Sequence, residues 1–215
     1  TLIDGRKQLR RWHVELTQLI ADLKAWSLQA PERHPLTQQP LSAEQRLANH
    51  VARTEFGQIL ERYWRDRPDP ELKRENHFTL RPTFLGDMPR LTADFSHVSL
   101  LSLQGNPALG AADSFLELFT NLHVLNLHDF ALGQVPSALT RMSVLRELSL
   151  THCRLALTPD GQTVLSSLGS LESMDLSDNP LTVAPSLEDM PLLNELRLPN
   201  TGIGHLPTGM TELNN

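Results

Sequence analysis

The stretch Leu171-Glu172-Ser173-Met174-Asp175-Leu176-Ser177-Asp178-Asn179-Pro180-Leu181 decides the fold. Its apolar residues stand at places one, four, six and eleven. Met174 and Leu176 alternate with polar neighbours as a short strand does, and Asn179 then signals a turn. The phrase recurs. Aligned on its first apolar place, the chain repeats at Val98, Leu122, Leu145, Leu171 and Leu193, in steps of 24, 23, 26 and 22 residues. Such a period marks a solenoid, in which each unit buries its apolar face only against its neighbours.

A second cadence follows each strand, clearest in Leu132-x-x-Val135-Pro136-x-x-Leu139-x-x-Met142. It returns from Leu181 through Ala184-Pro185 and Leu187 to Met190, and from Ile203 through Leu206-Pro207 and Met210 to Leu213. A step of 23 residues back from Val98 reaches Glu75, with Phe78, Leu80, Leu85, Met88 and Phe95 at the matching offsets, so a worn first unit is expected there. Six strands are predicted, at about 78–80, 101–103, 125–127, 148–150, 174–176 and 196–198. The expected fold class is α/β: a repeat solenoid over 75–215 with parallel strands on its concave face, and a helical hairpin cap over 1–74. Both ends read as cut from something longer, with no C-terminal cap before Asn215.

The Asn place of the turn satisfies backbone groups that strand pairing leaves free. It is filled by Thr83, Asn106, Phe130, Cys153, Asn179 and Thr201. Phe130 departs from the small polar pattern and predicts a local irregularity around 129–131.

Ahead of the repeats, Leu9, Trp12, Leu16, Leu19, Leu23 and Trp26 draw one apolar stripe on a helix over about 4–26. Arg6, Lys7, Arg10 and Arg11 surround its start and read as a solvated face. Pro31, Pro35 and Pro40 make a loop, and Ser42 with Gln45 offers a capping box. Leu47, Ala48, Val51, Phe56, Ile59, Leu60 and Tyr63 then continue at helical spacing until Arg67-Pro68-Asp69-Pro70 stops the helix. The pair is expected to pack on the first repeats as a lid.

Composition narrows the function. Through Arg90 the chain has 15 Lys and Arg against 12 Asp and Glu; beyond it, 4 against 13. An acidic repeat half argues against nucleic acid, which needs clustered cations. The single cysteine, Cys153, excludes an intrachain disulfide framework and favours a reducing compartment such as the cytoplasm. No run of 18 apolar residues is present, so no membrane partner is expected for this chain.

No catalytic constellation stands out, and the chain is not expected to be an enzyme. Cys153 with His152 beside it occupies the inward turn place, where a buried thiol is inert. Asp129, His152 and Asp178 on adjacent turns suggest zinc only weakly against a solvated His between acids. His123 and His128 give the same weak signal. No metal and no cofactor are predicted.

The outward strand places line up across the sheet. One row is Leu100, Val124, Glu147, Ser173 and Glu195; the next is Ser102, Asn126, Ser149, Asp175 and Arg197. A third is Gln104, His128, Thr151, Ser177 and Pro199. The predicted contacts for a protein partner are Val124, Asn126, His128, Glu147, Ser149, Ser173, Asp175, Glu195 and Arg197.

The phrase at 171–181 and the Leu-x-x-Val-Pro return at 132–136 resemble the leucine-rich-repeat superfamily. The hairpin leading through Ala93-Asp94-Phe95-Ser96-His97-Val98 into the repeats resembles large bacterial leucine-rich-repeat proteins. In those, a toxin-like region precedes the repeats and a novel-type E3 ubiquitin ligase domain follows. That resemblance implies a virulence effector secreted by a bacterium into a host cell, whose repeats select a host protein. The repeats here are longer than the short double-Pro form of those effectors, and no ligase domain lies in this chain.

Overall fold

The computed structural model describes residues 2–67, 76–106, 108–109 and 112–210. Two long helices, α1 (Leu2–Leu28) and α2 (Ala43–Arg65), precede six strands: β1 (His77–Leu80), β2 (Leu100–Gln104), β3 (Val124–His128), β4 (Glu147–Thr151), β5 (Ser173–Asp175) and β6 (Glu195–Arg197). The strands form one parallel sheet in chain order. The return segments after β2, β3 and β4 pass through α3 (Asp113–Leu116), a 3-10 turn at Ser137–Arg141 and α4 (Pro159–Ser166) respectively. The result is the α/β solenoid of parallel strands that the period predicts, with every expected strand in place to within two residues at either end.

The Leu places of the strands explain the stack. Leu101, Leu103, Leu125, Leu127, Leu148 and Leu150 are buried to 2% exposure or less. They face the return segments, where Leu139, Met142, Leu145, Leu165 and Leu168 are equally buried. In the last turn the inward places are not covered among the described residues: Leu196 and Leu198 are half-buried, and Leu206 is 80% exposed. Glu75 and Leu213, which the repeat pattern uses, lie outside the described residues.

The turn places carry the expected hydrogen bonds where Asn fills them. Asn179 Oδ1 accepts from the amides of Cys153 (2.9 Å) and Leu155 (3.0 Å), while its Nδ2 donates to the carbonyls of Leu150, Leu176 and Ser177. Asn106 Nδ2 donates to the Phe84 carbonyl at 3.3 Å. Thr83 does not point inward: it is exposed, and Phe84 beside it enters the core instead. The irregularity expected at Phe130 is absent from the backbone. Asp129 has φ 62°, close to the left-handed values of His152, Asp178 and Asn200 at the same place in later turns. The ring fits because the preceding turn has Gly105, where a Cβ would lie 2.6 Å from Phe130 Cε2.

The helices run antiparallel, shown by Glu15 with Trp64, Leu23 with Gly57 and Ser27 with His50. α2 starts as predicted, with Ser42 and Gln45 exchanging side-chain to backbone bonds. It ends at Arg65 with Asp66 as its cap, while Pro68 and Pro70 lie outside the described residues. Both stripes differ from expectation. Leu9 (63% exposed) and Trp12 (39%) stand free because α1 runs on past Trp64, beyond the reach of α2. On α2 the buried face is Asn49, Arg53, Phe56, Gly57, Leu60 and Trp64, which leaves Leu47 and Val51 exposed.

That rotated face meets the first turns of the solenoid. Trp26 packs edge-on against Phe84 (centroids 4.9 Å apart), Phe56 against Phe84 (5.1 Å) and Tyr63 against Phe78 (3.7 Å). Helices and repeats share one continuous hydrophobic core. Glu15 fastens the join: its Oε1 accepts from Trp64 Nε1, Arg67 Nη2 and the Asp94 amide at 2.7–2.9 Å.

Candidate functional site

Strand register builds the candidate site. Leu100, Val124, Glu147, Ser173 and Glu195 are Cα partners in successive strands, and so are Ser102, Asn126, Ser149, Asp175 and Arg197. Because strand side chains alternate, burying the leucines forces these rows onto the open face. Parts of both rows surround a depression of about 220 Å³ lined by Asn126, Glu147, Leu148, Ser149, Ser173, Asp175, Glu195 and Arg197. Seven of the nine predicted contact residues are therefore brought together. Val124 and His128 lie beside it on β3 without lining it.

The polar groups at this surface are partly committed. Arg197 reaches Glu195 Oε1 at 2.6 Å, and Ser173 Oγ lies 3.4 Å from Glu195 Oε2. Asp175 Oδ1 accepts from the Ser177 amide at 2.9 Å and from the Ser177 hydroxyl. That bonding draws Ser177 in to 6% exposure, so the third predicted row is broken there. The reason is that β5 ends at Asp175 and the chain turns at once. With Arg197 paired to Glu195 on the same strand, the carboxylates of Glu147 and Asp175 leave the depression net acidic.

At the strand ends, His128 Nδ1 lies 2.8 Å from Thr151 Oγ1, and its ring packs 5.5 Å from that of His152. His152 Nδ1 lies 3.5 Å from Asp178 Oδ2, whose Oδ1 accepts from Asn200 Nδ2. Among the described residues no group of three His, Cys, Asp or Glu side chains is arranged to hold a metal ion. Cys153 is fully buried, and burial pushes its thiol up to about 12. It is not a nucleophile at neutral pH.

One pair beside the face escaped the sequence reading: Arg146 Nη1 lies 3.4 Å from Glu172 Oε1, just before β4 and β5. Its signal was available as opposite charges at the same place in adjacent repeats. No described helix is long and apolar enough to cross a membrane.

Residues 170–190 match the family model described as Leucine Rich Repeat. Human podocan-like protein 1 is 34% identical over 122 residues, covering 49% of this chain and 24% of that protein. The chain thus spans about a quarter of that relative's length. The Arabidopsis receptor kinase HAESA, solved in complex with the peptide hormone IDA and the co-receptor SERK1, is 29% identical with a TM-score of 0.48 over 60% of this chain and 22% of that one. The LRR ectodomain of the Arabidopsis receptor kinase SOBIR1 is 20% identical with a TM-score of 0.47, over 62% of this chain and 73% of its own.

Proposed function

We propose that this chain, whose repeats are leucine-rich repeats, is a protein-interaction module that holds an extended cationic segment of a protein partner on its concave face. The helical pair acts as the cap of the N-terminal end. The observation that carries the reading is the register that gathers Asn126, Glu147, Ser149, Ser173, Asp175, Glu195 and Arg197 around one depression. Fixed strands position these groups before any partner arrives, which lowers the ordering cost of binding. The excess of carboxylate over guanidinium there favours Lys or Arg in the occupant and steers its approach.

Selection of a displayed random-peptide library on the folded protein tests this. Lys-rich or Arg-rich peptides should be enriched, and the double variant Glu147→Gln, Asp175→Asn should bind them at least about tenfold more weakly. Unchanged affinity in that variant removes the face from the interaction.

A second reading rests on the hairpin that leads through residues 93–98 into the repeats. It makes the chain the substrate-selecting part of a bacterial effector whose E3 ubiquitin ligase domain lies elsewhere. The buried lone thiol supports a working site in a reducing compartment, the cytoplasm of the host in that case. A reading frame continuing past Asn215 into a helical region with a catalytic cysteine supports this reading, and a stop codon there ends it.

A further inference from the structure

Between the helical pair and the first turn of the solenoid lies a cleft of about 460 Å³, bordered by Asp22, Trp26, Pro31, Arg53, Gly86, Asp87 and Arg90. Arg53 is only 3% exposed and lines it. The guanidinium stacks on the indole of Trp26 at 4.3 Å and lies 5.8 Å from Phe84. Among the described residues its Nε–H has no acceptor, and its one hydrogen bond, from Nη1 to the Leu85 carbonyl, is long at 3.4 Å. No described carboxylate reaches it within ion-pair distance, and Asp87 acts only through space. Burial lowers this guanidinium to about 10, with the charge of Asp87 opposing.

A buried cation without a counter-ion is a poor structural element, since an apolar side chain of similar volume does the packing at less cost. An Arg fork in such a place suits an oxygen anion, which can accept from two N–H groups at once. We propose that this cleft binds a carboxylate, with Arg53 as its anchor. The site is independent of the concave face.

The rest of the cleft restricts the ligand further. The loop over Arg53 is held by Asn49, whose Oδ1 accepts from the Leu85 amide at 2.7 Å. Gly86 (φ 95°) forms its lip, and a Cβ there would lie 3.3 Å from the Pro31 ring and 3.5 Å from Arg53 Nη1. The Asp22 carboxylate is already engaged by Gln18 and Thr92, while Asp87 and Arg90 are exposed at the mouth. Asp22 and Asp87 outnumber Arg90 near the entrance and oppose a doubly charged ligand, so a single carboxylate is favoured over phosphate. The volume accommodates a small organic acid or the Asp or Glu side chain of a peptide.

Titration of the intact chain with acetate, with N-acetylglutamate methylamide and with inorganic phosphate tests this. The readout is the NMR signal of the Arg53 Nε–Hε group, assigned by its loss in Arg53→Lys. A saturable shift is expected with one or both carboxylates, with phosphate at least about tenfold weaker. Saturation by acetate alone identifies a small acid as the natural occupant, and saturation by both identifies an acidic side chain. Asp87→Asn should tighten binding. Arg53→Met should abolish the carboxylate's protection against thermal unfolding, and the wild-type titration decides the matter even if that variant fails to fold. Absence of a saturable shift up to about 100 mM carboxylate overturns the proposal, as does an equal response to phosphate.

Discussion

Asn179 holds Cys153 from the next turn along: its side-chain oxygen accepts from the Cys153 amide at 2.9 Å, deep in the stack, where both residues are at most 1% exposed. The same side chain bonds Leu155 and three carbonyls, so one amide group satisfies backbone atoms of two successive repeats. Asn179→Ala is expected to cost about 2–4 kcal/mol, because it leaves several buried backbone groups without partners. Asn106→Ala, which loses fewer and longer bonds, should cost less. Urea midpoints of the two variants check the order.

Gly105 and Phe130 are a matched pair. With a Cβ at 105 only 2.6 Å from the ring, Gly105→Ala should destabilise by about 1–3 kcal/mol through overpacking. Adding Phe130→Leu should recover much of that loss, which a double-mutant cycle on unfolding free energies will show. Equal costs with and without Phe130 would mean that the ring is not the obstacle.

The Glu15 clasp should matter more than the surface ion pair next to it. Glu15→Gln weakens charge-assisted bonds to Arg67, Trp64 and Asp94, at an expected cost of about 1–3 kcal/mol. Arg65→Met, which removes an exposed contact to Glu61, should change stability by less than about 0.5 kcal/mol. Thermal unfolding followed by tryptophan fluorescence separates the two.

The Cys153 thiol makes stability fall in alkali. Its folded value is raised from the ordinary 9.0 to about 12, first by burial and then by the nearby charge of Asp129, with a backbone bond at Phe130 opposing. A raised value means that this contribution is complete below pH 9 and is lost as pH climbs towards 12. Wild type should therefore lose more stability than Cys153→Ala between about pH 8.5 and 10.5. Iodoacetamide should label native Cys153 only at the rate of unfolding.

His97 works in the opposite direction. Burial, and then the charge of Arg67, hold it below its usual 6.5, against weaker opposing pulls from the Tyr63 carbonyl, Asp94 and Glu15. Its contribution is present above pH 6.5 and is lost as pH falls below it. His97→Gln should flatten the acid limb of the stability profile relative to wild type.

The strands were legible because a solenoid writes its core at a fixed period, so each Leu place is tested several times over. The outward rows followed from the same alternation, and seven of the nine residues named from them line one depression. Ser177 was misplaced because its bond to Asp175 turns the chain early, a local side-chain choice that no period encodes. Thr83 was misplaced because the first repeat is worn, and Phe84 next to it is the larger apolar group. On α2, an apolar stripe was sought at Leu47 and Val51, while the buried face contains Asn49 and Arg53. Polar residues that are buried against a specific loop carry no apolar signature.

What the sequence by itself determined is the repeat: its length, its strands, its inward leucines and the face they leave open. Local alternation and a conserved spacing within the chain suffice for that, since each turn sees nearly the same neighbours. Only the tertiary structure decided how the helical pair sits on the first turn, and with it the exposure of Leu9 and Trp12, the clasp at Glu15 and the cleft around Arg53. Those depend on contacts between residues such as Glu15 and Asp94, or Arg53 and Leu85, that lie far apart in the chain and share no period.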